Sequence, residues 1–263
     1  MLISLVRAAP GASAEPPVLG PPSALIGSWE VERVAVDRAD QMHWSMRPDN
    51  PLLLFRELLI STERVRFNGS KLDCKQTSWK AHSVTWAYLF SHGFPRPGAS
   101  PVGSRTSAVD FDFPVAKNGS ATAYSLCPLS DGRPRGAFPV DTWVALNGLD
   151  QLAMHLDTQV LLILRRRPAD AKPRPSFDCT KATTPTEKAI CGNFDLAGWD
   201  RSIAAAFRAA SKGRAEREPE LLQQQKQWLR ERDACGATVS CIDDHLWRRV
   251  DELVQIDQGP VGR

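Results

Sequence analysis

Several chemical signatures are missing from this sequence, and each absence narrows what the chain can be. No Cys-x-x-Cys occurs, which argues against a thioredoxin-like redox site and against a zinc ribbon. No apolar run approaches the roughly 20 residues that a membrane-spanning helix needs. Neither a Gly-x-Ser-x-Gly elbow, a P-loop, a His-Glu-x-x-His helix nor a Gly-x-Gly-x-x-Gly turn is present. The histidines (His43, His82, His92, His155 and His245) are scattered; His82 and His92 flank an apparent strand and read as surface or structural groups. A net charge of +3 is too small for a nucleic-acid surface, and the one dense cationic run, Arg165-Arg166-Arg167, reads as a solvated strand end. The paired carboxylates Asp243-Asp244 and Asp251-Glu252 recur at helical spacing beside Arg248 and Arg249, as on an ion-paired helix face. The reading is of a protein that is not an enzyme, carries no cofactor and binds no nucleic acid.

What the chain does have is six cysteines: Cys74, Cys127, Cys179, Cys191, Cys235 and Cys241. Cys235, Cys241 and His245 supply three potential zinc ligands, but no clear fourth accompanies them. An even number without metal spacing reads as disulfides, and so as an oxidising, periplasmic or secreted location. Residues 1–20 begin with a short apolar stretch and hold Ala12-Ser13-Ala14, which resembles a signal-peptidase site. The apolar core is short and no basic segment precedes it, so this end reads as a signal remnant or a disordered segment.

A seam of three prolines with charged and small residues, Pro168–Ser176, reads as a linker between two independently folding regions. Before it, residues 21–167 read as β. In "LIGSWEVERVAVD", Trp29, Val31 and Arg33 share one strand face, with Val34 and Val36 on the other. Further strands are expected over 53–61, 64–67, 71–76, 83–89, 108–115, 122–126, 142–146, 151–156 and 160–165. Asn68-Gly69, Asn118-Gly119 and Asn147-Gly148 each lie between apolar runs and favour hairpin turns. An antiparallel meander of about ten strands closes most naturally into a barrel. Gly27-Ser28-Trp29 resembles the short Gly-x-Trp signature of lipocalin-like barrels, with Arg165 on the closing strand best placed to pack over the tryptophan. Cys74 and Cys127 fall in strand-like segments, so a bridge between them is the preferred pairing. Whether such a barrel is filled or holds a small ligand depends on its interior, and Trp79, Trp86, Phe90, Phe111, Phe113 and Trp143 favour filling.

After the seam, residues 177–256 read as helices, with 257–263 a tail. Thr184-Pro185-Thr186-Glu187 is a capping box with proline at the first helical position. Asp195 is expected to cap the next helix, whose stripe is Leu196, Trp199, Ile203, Ala206, Phe207 and Ala210. Gly213 is expected to end that helix, and Pro219 to open another with Leu221, Leu222, Gln225, Trp228 and Leu229 inward. A last helix turns Ile242, Leu246, Val250, Leu253 and Val254 to the core. The expected structural core includes Phe177, Trp199, Phe207, Trp228 and Leu229. About 80 residues give a small core that commonly needs staples. Four cysteines allow three connectivities; Cys179–Cys191 and Cys235–Cys241 are preferred because each brackets one chain reversal. The fold class is therefore α+β by separate domains, an antiparallel lipocalin-like barrel followed by a small disulfide-stapled helical bundle.

The stretches "FDCTKATTPTEKAIC", "DLAGWDRSIAAAFRAA" and "QKQWLRERDACGATVSC" resemble the N-terminal domain of LprI-type lysozyme inhibitors, over Pro175 to about Leu253. Trp199 and Trp247 depart from the smaller aliphatic residue and the tyrosine that the pattern leads one to expect. The resemblance implies an exported protein that binds a lysozyme or another muramidase-like protein. Lysozymes work with two carboxyl groups across an open cleft, so an inhibitor needs a rigid loop that offers donors to them. The loop 236–240 lies between Cys235 and Cys241, with Gly236, Thr238 and Ser240 the expected inhibitory residues; Lys212-Gly213-Arg214 is the cationic alternative. The competing functions are a small-ligand-binding barrel with the helices as accessory, and an envelope protein–protein adaptor that binds its partner by either region.

Overall fold

The computed structural model describes residues 18–19, 21–40, 46–70, 72–76, 78–94, 106–116, 118–127, 142–157, 159–212 and 218–258. His43, Ala12-Ser13-Ala14 and the residues Gly213 and Arg214 lie outside them.

The N-terminal region is one curled antiparallel sheet of nine strands, with β1 (Val18–Leu19) and β6 (Ser78–Trp79) forming a separate pair. In chain order the nine are β2 (Gly27–Val36), β3 (Glu57–Ile60), β4 (Arg64–Phe67), β5 (Asp73–Lys75), β7 (Ala81–Thr85), β8 (Ser120–Ser125), β9 (Trp143–Asn147), β10 (Gln151–Asp157) and β11 (Val160–Arg166). Their spatial order is β5-β4-β3-β2-β11-β10-β9-β8-β7, so β2 and β11, from opposite ends of the region, meet in the middle. Among the described residues no β5–β7 ladder closes the curl. A side-chain clamp joins its two ends instead. Cys74 on β5 is bonded to Cys127 just past β8, and buried Gln76 donates to the Ser125 carbonyl (2.9 Å) while accepting from the Cys127 amide (2.8 Å).

Trp29, Val31, Val34 and Val36 all face the interior, contrary to simple alternation. The register against β11 shifts between Ile163 and Leu164, which leaves Glu32 as an extra residue on β2. Such a bulge turns the second half of a strand over and bends it, which supplies curvature. The interior is packed with Trp29, Phe67, Trp79, Met154 and Leu162, all essentially inaccessible. Side chains thus fill it. Arg166, not Arg165, lies over Trp29, 4.0 Å from the ring, because the shifted register pairs those two positions. Arg165 instead faces Glu32 at 3.1 Å.

The outer face carries a second core in which α1 (Trp86–Gly93) packs with Phe94, Phe111 and Phe113. The strand expected over 83–89 therefore stops at Thr85. Its hydroxyl accepts from the Tyr88 amide (3.2 Å), and Trp86, Leu89, Phe90 and Gly93 then follow helical spacing. Residues 108–115 form no strand either: Ala108–Phe111 is a 3-10 turn, held by Asp110 accepting from the Ser107 amide (2.8 Å). Asn147-Gly148 makes the β9–β10 hairpin, with Gly148 at φ 76°, and Asn68-Gly69 joins β4 to β5. Asn118-Gly119 leads into β8 instead of joining paired strands.

Among the described residues, a short 3-10 turn (Cys179–Lys181) and four α-helices follow the seam: α2 (Pro185–Gly192), α3 (Phe194–Ser211), α4 (Glu218–Asp233) and α5 (Val239–Gln258). Their shared core is Ile190, Leu196, Trp199, Ile203, Trp228, Ile242, Leu246, Val250 and Leu253 among others, with Phe177 and Phe207 half-buried against it. The capping box forms as the sequence suggests, Thr184 and Glu187 each accepting the other's backbone N–H (3.1 and 3.0 Å). The α3 cap is Asn193, which accepts from the Asp195 and Leu196 amides; Asp195 instead accepts from Asn68 across the seam (2.5 Å). Leu222 and Leu229 are not core: each lies about 100° round the helix from a buried neighbour, Leu221 and Trp228, and both are exposed.

The two regions are packed together. Gly198 permits the closest approach, since a Cβ there would stand 2.6 Å from the Phe55 carbonyl. Beside it, Arg56 is fully buried, 3.4 Å from the centre of the Trp199 ring, and donates to Ser202 (3.3 Å) and the Leu54 carbonyl (3.3 Å). Burial pushes the Arg56 guanidinium down to about 9, so it keeps its charge at neutral pH at a desolvation cost. Arg201 forks onto Glu30 (3.0 and 2.6 Å) and Arg167 pairs with Glu57.

Candidate functional site

The clearest built feature of the helical region is the connection from α4 to α5. Asp233 ends α4; Ala234–Ala237 turn, with Gly236 at φ 58°, a conformation that suits glycine. Cys235 is bonded to Cys241, across six positions. From α2, the buried Thr186 hydroxyl reaches the Gly236 carbonyl at 2.7 Å and the Asp233 carbonyl at 3.3 Å. Buried Arg232 donates to Asp233 at 2.6 Å. The capping box fixes α2 in turn, and hydrogen bonds from the Thr184 and Thr183 amides hold the Glu187 carboxyl below the usual carboxylate range. The turn is thus held by a covalent bond, a buried hydroxyl and an ion pair.

Its tip is open. Ala237, Thr238, Val239 and Ser240 are all exposed. The segment is shorter than the sequence suggests, because α5 already begins at Val239 and Ser240 lies in its first turn. Gly236 serves as the bend, while Thr238 and Ser240 present hydroxyls two residues apart. No carboxylate lies between Cys235 and Cys241 to repel an acidic partner. His245 stands one turn further, its ring nitrogen within 4.8 Å of the sulfurs of Cys235 and Cys241. Those sulfurs are bonded to each other, so the three residues do not offer the thiolates that zinc takes.

A groove of about 440 Å³ runs between α3 and α4, floored by Phe177, Phe207 and Trp228, with Leu229 at its lip, and rimmed by Glu187, Arg208 and Arg232. The exposure of Leu229 is explained by its place at this lip.

The remaining polar groups do not assemble into a catalytic set among the described residues. His92 stacks on Tyr88 at 3.9 Å, and His155 is enclosed between Trp143 and Phe94. Burial, and then Lys80, lower the His82 imidazole below its ordinary value. Arg248 pairs with Asp244 (3.0 Å) on a solvated helix face, but Arg249, expected on that face too, is buried: it donates to Gln225 of α4 (3.0 Å) and reaches Glu252 (2.9 Å) from inside. Burial raises the Asp243 carboxyl, opposed by Arg56 across the seam. Sequence reasoning missed the seam residues Glu30, Arg56 and Arg201. The available signal was a lone arginine inside the apolar run Leu52-Leu53-Leu54-Phe55-Arg56.

Residues 179–253 match the family model of the lysozyme inhibitor LprI. That segment opens on Cys179 and closes on Leu253, so it holds both helical disulfides, the stapled turn and every helix after the seam but the end of α5. The curled sheet lies outside it. No curated protein and no solved structure gives a match.

Proposed function

We propose that the chain is a periplasmic or secreted, non-enzymatic protein that binds and inhibits a lysozyme or another peptidoglycan-cleaving enzyme. The observation that carries the reading is the family match over 179–253, which coincides with the stapled helical region. Three disulfides and the absence of free cysteines support an oxidising compartment. No helix among the described residues is long and apolar enough to cross a membrane.

The turn Cys235–Cys241 is the contact element in this reading. A narrow tip enters the cleft, and the Thr238 and Ser240 hydroxyls donate to the two carboxyl groups that cleave the glycosidic bond. Because the tip is already fixed by Thr186 and the disulfide, little ordering entropy is lost on binding. Sugar is then excluded by volume, and no bond changes in the inhibitor.

The aromatic-floored groove between α3 and α4 favours a second reading, an envelope adaptor that seats a partner's apolar segment. The filled interior of the curled sheet argues against a small-ligand barrel. A pull-down on immobilised muramidases of several types separates the readings. Retention on a muramidase, with loss of its lytic activity, supports inhibition. Retention with full activity supports the adaptor, and no retention removes the inhibitor reading.

A further inference from the structure

The run Arg165-Arg166-Arg167 reads in sequence as a solvated strand end, yet the fold brings other cations to it. Arg165, Arg166, Arg167, Lys172, Arg174 and Arg201 line one concavity of about 600 Å³ where the end of β11, the segment 168–174 and α3 meet. Among the described residues two carboxylates, Glu30 and Asp170, line it with them. The lining groups alone carry a formal +4, which the pair partners Glu32 and Glu57 just outside the lining reduce to +2. We propose that this seam concavity is a binding site for a phosphate-bearing ligand, independent of the inhibitory reading.

The cations divide into a fixed wall and a free rim. Arg166 is committed to the Ala24, Ile26 and Leu149 carbonyls, Arg167 to Glu57, and Arg201 to Glu30. These groups cannot swing out, so their charge is fixed in place. Lys172 and Arg174 are exposed and have no ion pair or hydrogen-bond partner among the described residues. Burial alternates along Ala171–Pro175, which puts both on one side of an extended segment. Arg165 is held only by an exposed pair with Glu32, a weak tie that an incoming anion displaces.

Donors from two sides, Lys172 and Arg174 on one and Arg165 on the other, with the fixed arginines behind them, suit a tetrahedral oxyanion better than a planar carboxylate, which takes its best bonds in one plane. The volume falls in the range of small-molecule sites and far exceeds a bare ion. A phosphorylated sugar and a phospholipid headgroup share this chemistry. Leu149, 84% exposed at the β9–β10 turn and bonded through its carbonyl to Arg166, is placed to enter a lipid surface beside the site.

The test uses the full chain with two probes: glucose 1-phosphate by titration calorimetry, and phosphatidylglycerol/phosphatidylcholine vesicles by co-sedimentation. Binding to at least one is expected, falling roughly a hundredfold in the double variant K172A/R174A, since each of the two charge-assisted hydrogen bonds to the phosphate is worth about a factor of ten. The charge-matched control K188A/K226A, on exposed positions of α2 and α4, should bind as the parent does. All three proteins should melt together. Glucose 1-phosphate binding assigns a soluble ligand, whereas vesicle binding alone, weakened by L149S, assigns a headgroup. Binding of neither probe overturns the proposal, as does equal weakening in K188A/K226A. Glucuronate binding as tightly as glucose 1-phosphate overturns the preference for phosphate.

Discussion

Thr186→Val isolates the device that holds the stapled turn. The two side chains are nearly the same shape, so the change removes one hydroxyl and leaves the packing of a fully buried position in place. The hydroxyl proton goes to the Gly236 carbonyl at 2.7 Å; the Asp233 carbonyl, at 3.3 Å, also accepts from the Gly236 amide and stays satisfied. The variant forgoes one good hydrogen bond, with the Gly236 carbonyl left at a partly exposed position where water reaches it. Removing one partner from a buried bond costs about 1–3 kcal/mol, and access to water places this case in the lower half. Unfolding in urea should show a loss of about 1–2 kcal/mol, or a melting temperature lower by roughly 2–8 °C for a chain of this size. Thr186→Ser keeps the hydroxyl and should lose less of the pinning, and inhibition should weaken in the valine variant before the serine one. A valine variant as stable as the parent, or a serine variant as weak as the valine one, would refute the claim that this hydroxyl pins the turn.

Further expectations follow from the staples, the seam and the cap. Replacing each cysteine pair by serine should cost stability in the order of enclosed chain: about 4 kcal/mol for Cys74–Cys127, about 3 for Cys179–Cys191 and about 2 for Cys235–Cys241, for separations of 53, 12 and 6. A reversed order by urea titration would contradict the chain-entropy account. Cleavage within Pro168–Ser176 should leave two fragments that stay together on gel filtration, because Arg56, Trp199 and the Glu30–Arg201 pair span the seam; fragments that separate would show the interface to be weak. The folded Glu187 carboxyl lies below its unfolded value, so the unfolded chain takes up the proton first. Its contribution is full above the ordinary carboxylate range and is lost as pH falls through the folded value. E187Q should therefore shrink the stability difference between pH 7 and pH 3, and an unchanged difference would remove Glu187 from the acid limb.

Features that rest on neighbours in sequence were legible. The Thr184–Glu187 box and the inward stripe of α5 are local arrangements, and the β9–β10 turn follows from Asn147-Gly148 alone. Long-range pairing was not legible. The bulge at Glu32 exists because β2 pairs with a strand more than a hundred residues away, and only that pairing turns Val34 and Val36 inward and places Arg166 over Trp29. The stretch 83–89 misleads because Val84, Trp86 and Tyr88 alternate while Trp86, Leu89 and Phe90 also fit a helix; the Thr85 cap decides between them. Asp195 fits an N-cap by composition but is engaged by Asn68, a contact that only the fold creates. For the site, the cysteine spacing marked the turn, whereas its anchor on Thr186, fifty positions before Gly236, could not be seen from the chain alone.

The central claim is that the stapled turn is the inhibitory element, and the variant T238A/S240A tests it most directly. Both hydroxyls are exposed, and Thr238 bonds to its neighbours through its backbone, so melting should be nearly unchanged. The measurement is the inhibition constant of parent and variant against a muramidase that the parent inhibits, chosen from a panel of several types. Two charge-assisted hydrogen bonds at about 1.5–3 kcal/mol each predict weakening by roughly a hundredfold or more. A folded variant that inhibits as well as the parent would contradict the assignment of this turn, and a parent that inhibits no muramidase of the panel would contradict the function itself.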